Sequence, residues 1–204
     1  MITRWWWVRH APVVGLNGVI YGGNDVPCDV SDSAAMAALA ARLPEEALWV
    51  TSHLGRTQAT AEAINAARGA AIAPLVEPDL AEQDFGAWQG RSFAELERDG
   101  DAVYHKFWLA PADHAPPGGE SFAAVADRVA AVIARLTAAH AGRDIVAVAH
   151  GGTVRAALVL ALGLEPEAAL AVRVENLSLT CIEHVDRPEP GGDWRVVHVN
   201  LPPR

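Results

Sequence analysis

Short apolar runs alternate with stretches of helical periodicity along most of this chain. Trp5 to Val8 is aromatic and β-branched and stops at Arg9-His10, which reads as a buried strand. Ala47 to Thr51 and Leu75 to Pro78 read as two more strands, the second an edge strand because it contains a proline. Ile145 to Ala149 is continuously apolar, as suits a central parallel strand buried on both faces. Leu177 to Val185 and Trp194 to Val199 suggest a final pair of strands joined by a turn-rich link, Asp186 to Asp193. Between these runs, Ser31 to Leu43, Thr57 to Ala67, Ser92 to about Leu109 and Val154 to Leu162 carry helical spacing. The longest helix predicted is Glu120 to His140, where Phe122, Val125, Val129, Ile133 and Leu136 recur every three or four residues. Strands alternating with helices imply βαβ units. No internal repeat, low-complexity tract or linker interrupts them, so one domain over residues 1–204 is expected. Its fold class would be α/β, with a mostly parallel central sheet.

Composition narrows the function more than the fold. The 204 residues carry 16 Lys+Arg against 25 Asp+Glu, a net charge of −9. An acidic chain with no basic tail is a poor partner for nucleic acid or for an anionic membrane surface. No run approaches the roughly 18–20 apolar residues that cross a bilayer. The short run before Arg9 does not resemble a signal peptide. Cys28 and Cys181 have neither disulfide-framework nor metal-site spacing. A reduced, cytoplasmic location is the expectation, with no metal and no other cofactor.

Polar residues follow a strand end at three places: Arg9-His10, Ser52 to Arg56, and His150-Gly151-Gly152-Thr153. Ligands of open parallel sheets sit at the carboxyl ends of the strands, so these residues are expected to meet in one crevice. Two arginines and two histidines there would make a local cationic pocket suited to a small anion. Arginine bonds two phosphate oxygens at once, and glycines opening a helix add backbone N–H donors. Taken singly, each motif also reads as surface polarity or a satisfied core histidine; the set is what carries weight. His53, His105, His114, His140, His184 and His198 read as structural or surface residues, with His53 and His114 near the rim.

The chain resembles the histidine phosphatase superfamily, also called phosphoglycerate-mutase-like, in its short, α-ribazole-phosphatase-like branch. Val8-Arg9-His10-Ala11 is similar to its Arg-His-Gly opening. Tyr21-Gly22 with Asp25-Val26-Pro27 is similar to its next loop. Thr51 to Thr60 resembles its second arginine motif. Leu80-Ala81-Glu82 with Gly86 to Gly90 resembles its acid loop. Pro117 to Ser121 matches its entry to the long helix, and Val148 to Gly152 matches its second histidine motif. The matches run in family order from residue 4 to about 163. Two departures stand out: Ala11 replaces the usual glycine, and residues 28–36 lack the common pattern.

The resemblance implies a three-layer αβα sandwich with a helical or loop cover at about 92–120. It also implies hydrolysis of a small phosphomonoester through a phosphohistidine on His10. Arg9, Arg56, His150 and Gly151 would hold the phosphoryl oxygens, and Glu82, or failing it Asp84, would be the general acid. His10, Glu82 and His150 form the expected catalytic set. Clustered positive charge would lower the His10 pKa. Alternatives within this frame are a phosphoglycerate-type mutase and a non-catalytic phospholigand-binding relative, which Ala11 favours. The expected partner is a small phosphorylated substrate, with Trp5 to Trp7 and the last strands as candidate surfaces for a homodimer.

Overall fold

The computed structural model describes residues 1–100, 102–189 and 192–204. Six strands form one sheet: β1 (Ile2–Arg9), β2 (Leu48–Thr51), β3 (Leu75–Val76), β4 (Asp144–Ala149), β5 (Leu179–Glu189) and β6 (Gly192–Leu201). Their order is β3-β2-β4-β1-β5-β6. β1, β2, β3 and β4 pair in parallel, while β5 runs antiparallel to both β1 and β6. The helices are α1 (Ser33–Arg42), α2 (Gly55–Ala66), α3 (Phe93–Asp99), α4 (Ala102–Leu109), α5 (Phe122–Ala139), α6 (Gly151–Leu162) and α7 (Pro166–Ala169). Among the described residues, no helix is long and apolar enough to cross a membrane.

The alternation of side chains along the central strands builds a core on each face of the sheet. Trp5 and Trp7 of β1 and Ile145, Ala147 and Ala149 of β4 pack on one side against the stripe of α5 and against α6. Val8, Val146 and Val148 pack on the other side against Met36 and Leu39 of α1 and Ala61 and Ile64 of α2. This is the expected three-layer arrangement, and it explains why β4 is apolar at every position after Asp144. Each Val, Leu or Ile buried in the α5 stripe contributes about 1.5–3 kcal/mol. Ser121 caps that helix by accepting from the Ala124 N–H.

Two details depart from the sequence pattern. The stretch from Ser92 to Leu109 is not one helix: Gly100 takes a left-handed conformation (φ 55°) and its N–H closes on the Leu96 carbonyl. That conformation suits glycine and ends α3, so α4 starts afresh. Residue 101, between them, lies outside the described residues. The last strand pair is longer at the hairpin end than its pattern suggests, because β5 continues to Glu189 and pairs with Gly192. It starts later too, since Leu177 adopts φ 59° in a turn. Trp5 and Trp7 are fully buried and stack at 5.1 Å, as the reading of Trp5 to Val8 as a buried strand expects.

Candidate active site

β1, β2 and β4 all end on the same edge of the sheet, and their next residues converge. His10 follows β1, Ser52 follows β2, and His150 follows β4 and precedes the first turn of α6. The rings of His10 and His150 lie 5.2 Å apart at 61°. Both are fully buried, as is Arg56 from the first turn of α2.

Hydrogen bonds fix which nitrogen of each group faces the centre. The His10 Nδ1 lies 2.7 Å from the Ala11 carbonyl, which can only accept. Nδ1 therefore carries the hydrogen, and the neutral ring keeps its lone pair on Nε2, which has no partner. Ser52 Oγ accepts from the Leu54 N–H at 3.2 Å and lies 2.8 Å from His150 Nε2. Ser52 Oγ also lies 3.1 Å from Thr57 Oγ1; with the Ser52 hydrogen directed to His150 Nε2, that ring carries its own hydrogen on Nδ1, which has no partner among the described residues. Arg56 donates through its two Nη atoms to the Asn24 and Gly22 carbonyls, each at 2.7 Å, leaving Nε unpartnered. Arg9 donates through Nη1 to the Val174 carbonyl, and its Nε is likewise unpartnered. Among the described residues these are four of nine buried polar atoms without a partner, the others being Trp7 Nε1, Thr51 Oγ1, Arg68 Nε, Ser178 Oγ and His198 Nε2; the four belong to the residues at the strand ends, and a bound anion would satisfy them.

Burial comes first in depressing the His10 pKa, to about 3, and the Arg56 and Arg9 charges add to it. The expected direction holds, but desolvation outweighs the clustered charge. His150 shifts the same way, with burial again first and His10 and Arg56 next. In the unfolded chain the His10 ring takes a proton near 6.5, and in the fold only near 3. Between those values the unfolded state binds more protons, so stability is complete above pH 6.5 and falls as the pH drops toward 3. The variant His10→Asn, whose amide can still reach the Ala11 carbonyl, is expected to lose less stability between pH 7 and pH 4. Urea unfolding at the two pH values measures this; equal losses in both proteins would refute it.

Glu82 reaches the same place from the loop after Leu80. Its Oε1 accepts from the N–H of Gly152, in the first turn of α6, at 3.1 Å and from the Gln83 N–H at 3.0 Å. A cavity of about 560 Å³ opens on Arg9, Glu82, Gly152 and Arg155, with Tyr21 and Gly22 also in its wall. Asp84 does not line it; that carboxylate is engaged by the Gly86 N–H and lies with His53 on a smaller neighbouring cavity. His114 is tied to the Ala110 carbonyl. Gly151 supplies one of the first N–H groups of α6, and a Cβ built on it would lie 3.6 Å from Arg9 Nε. Ala11, the departure from the family pattern, packs its methyl into the core with Val8 and Leu39, and its N–H donates to Thr60 Oγ1.

Two supporting groups carry no motif of their own. Arg128 of α5 donates to the Asp79 and Ala81 carbonyls, at 2.6 and 3.0 Å, and pairs with Glu120 at 2.7 Å. Glu120 in turn accepts from the Asp84 N–H, so the clamp holds both ends of the Glu82 segment. Pro117 to Gly119 presses backbone to backbone on that loop: a Cβ on Gly86 would lie 2.2 Å from the Pro117 carbonyl. Arg155 was not singled out by the sequence, although four residues after Gly151 on one helix face is a readable signal. It stands beside Arg9, with its Nε on the Val172 carbonyl.

Comparison with known proteins identifies relatives of the whole chain. A protein of Mycobacterium tuberculosis named as bifunctional is 37% identical over 150 residues, 73% of this chain but 40% of the relative. The chain thus spans about two-fifths of the length of that relative. The Escherichia coli adenosylcobalamin/alpha-ribazole phosphatase is 28% identical over 177 residues, covering 85% of this chain and 86% of that one. The solved structure of a mycobacterial glucosyl-3-phosphoglycerate phosphatase superposes with a TM-score of 0.83 at 26% identity, over 98% of this chain and all of that one. A model of the histidine phosphatase superfamily (branch 1) matches residues 5–201, and this chain therefore belongs to that superfamily.

Proposed function

We propose that this protein is a phosphomonoester phosphatase that works through a phosphohistidine on His10. The observation that carries the reading is the pair of buried histidine rings, 5.2 Å apart, with His10 Nε2, His150 Nδ1, Arg56 Nε and Arg9 Nε each without a partner among the described residues. The arginine nitrogens are N–H donors and His10 Nε2 is a lone pair, which suits an incoming phosphoryl group. His10 Nε2 attacks phosphorus, the N–P bond forms and the bond to the ester oxygen breaks. Arg9, Arg56, His150 and the Gly151 N–H hold the non-bridging oxygens, where charge spreads in the transition state. Glu82 gives its proton to the departing alcohol. It then takes a proton from the water that attacks phosphorus, the N–P bond breaks, and inorganic phosphate leaves. The donor groups supply the positive charge for these steps, so chelation of metal ions is expected to leave the rate unchanged.

Arg56→Ala is expected to lower kcat about 10²–10³-fold, about 2.7–4 kcal/mol, the scale of a lost oxyanion donor. The deciding experiment is phosphate release from p-nitrophenyl phosphate together with a search for 2- to 3-phosphoglycerate isomerisation. Hydrolysis without isomerisation supports the phosphatase reading, and isomerisation would replace it with the mutase. Binding of a phosphomonoester with no turnover would leave the non-catalytic reading, but Ala11 no longer favours that reading, because its methyl lies in the core.

A further inference from the structure

The cavity that opens on Arg9 and Glu82 is far larger than a phosphoryl group needs. At about 560 Å³ it falls in the range of about 300–1,000 Å³ that takes a whole small organic molecule. Its charged lining residues, Arg9, Glu82 and Arg155, all belong to the phosphate end. The rest of the wall is dominated by apolar and aromatic side chains. Ile20, Phe85, Trp88, Leu96, Tyr104 and Phe107 line it, and these same six residues form a separate hydrophobic cluster of the protein. Trp88 and Phe107 meet nearly at right angles with ring centres 5.1 Å apart, and Phe85 sets its ring 6.3 Å from Phe107. Such a wall offers edges and faces to a further ring. It offers little to a row of hydroxyls, each of which would lose water without gaining a partner.

Resting on the phosphatase reading above, we propose that the alcohol released is apolar and ring-bearing. The natural substrate is then an aryl-substituted alkyl phosphate or a similar amphipathic monoester, not a sugar phosphate or a phosphoglycerate. The fold itself explains the preference: Gly100 divides α3 from α4, and residues of both helices, Leu96, Tyr104 and Phe107, enter the wall.

The test must separate binding of the alcohol from the ease with which it leaves. 2-Phenylethyl phosphate and glycerol 3-phosphate both release alkyl alcohols, so leaving-group chemistry does not favour the aromatic compound. Expected is a kcat/KM at least about 100-fold higher for the phenylethyl ester, in the range a hydrophobic pocket supplies for a few carbon atoms. A parallel series uses non-hydrolysable phosphonates, whose binding calorimetry reads without turnover. Affinity should rise from methyl- to 2-phenylethyl- to 2-(1-naphthyl)ethylphosphonate, and the phenylethyl-to-methyl ratio should shrink at least fivefold in Phe107→Ala. Should that variant not fold, the wild-type series decides alone. Equal affinity across the series, or preference for glycerol 3-phosphate or a sugar phosphate, overturns the inference while hydrolysis of p-nitrophenyl phosphate leaves the phosphatase reading standing. Failure to turn over any monoester overturns both.

Discussion

Replacement of His10 by Ala is expected to lower kcat for p-nitrophenyl phosphate on the order of 10⁵–10⁶-fold, the scale seen when a covalent nucleophile is deleted. Since the Ala11 carbonyl holds the ring hydrogen on Nδ1, His10 Nε2 offers a lone pair, and it has no partner among the described residues. Burial keeps the ring unprotonated down to about pH 3, so the nucleophile is available across the whole neutral range without a separate base. An acid limb in kcat/KM near pH 6.5 is accordingly not expected from His10. The accompanying measurement is acid quenching of the wild-type enzyme with radiolabelled substrate, which should trap acid-labile phosphate on the protein that is missing in the variant. A variant retaining more than a few per cent of the rate, or a wild type with no trapped phosphate, would remove His10 from the role.

The parts of this site that were legible in the sequence are those where one rule acts alone. Apolar runs gave β1, β2 and β4, and the geometry of a parallel sheet requires their carboxyl ends to share an edge. His10, Arg56 and His150 could therefore be grouped before any coordinates. What stayed illegible depends on backbone atoms. The Gly22 and Asn24 carbonyls aim Arg56, and the Val174 carbonyl aims Arg9, but a carbonyl leaves no trace in residue identity. The Ser52–His150 contact spans 98 positions and is a consequence of the β2–β4 pairing. The Arg128 clamp was hidden for a related reason: three of its acceptors are the carbonyls of Asp79, Ala81 and Glu82. The α3–α4 break was readable, since Gly100 sat inside a helical pattern; the apolar positions on both sides outweighed it. The weight of burial over charge at His10 could not be read either, because it requires knowing that the ring is enclosed on all sides.

Glu82→Gln is expected to separate good leaving groups from poor ones. For an alkyl phosphate, whose alcohol must be protonated as it departs, the loss should be about 10²–10⁴-fold, the usual contribution of a positioned general acid. For p-nitrophenyl phosphate, whose leaving oxygen is stable as an anion, formation of the phosphoenzyme should be little affected, and a burst of nitrophenol should precede slow water attack. The carboxylate is placed by two contacts that can be changed without touching it. A Cβ on Gly152 would come within 2.3 Å of Glu82 Oε1, so Gly152→Ala must push the carboxylate aside; its backbone φ is not in the region reserved for glycine. Arg128→Met removes the donors to the Asp79 and Ala81 carbonyls from the other side. Both variants should reproduce the leaving-group split of Glu82→Gln in weaker form, whereas general damage to the fold would slow both classes of substrate together. A uniform loss in Glu82→Gln itself would mean that another group protonates the alcohol. Asp84 is poorly placed to be that group, because it lines only the smaller neighbouring cavity, whereas Glu82 also lines the larger one with Arg9.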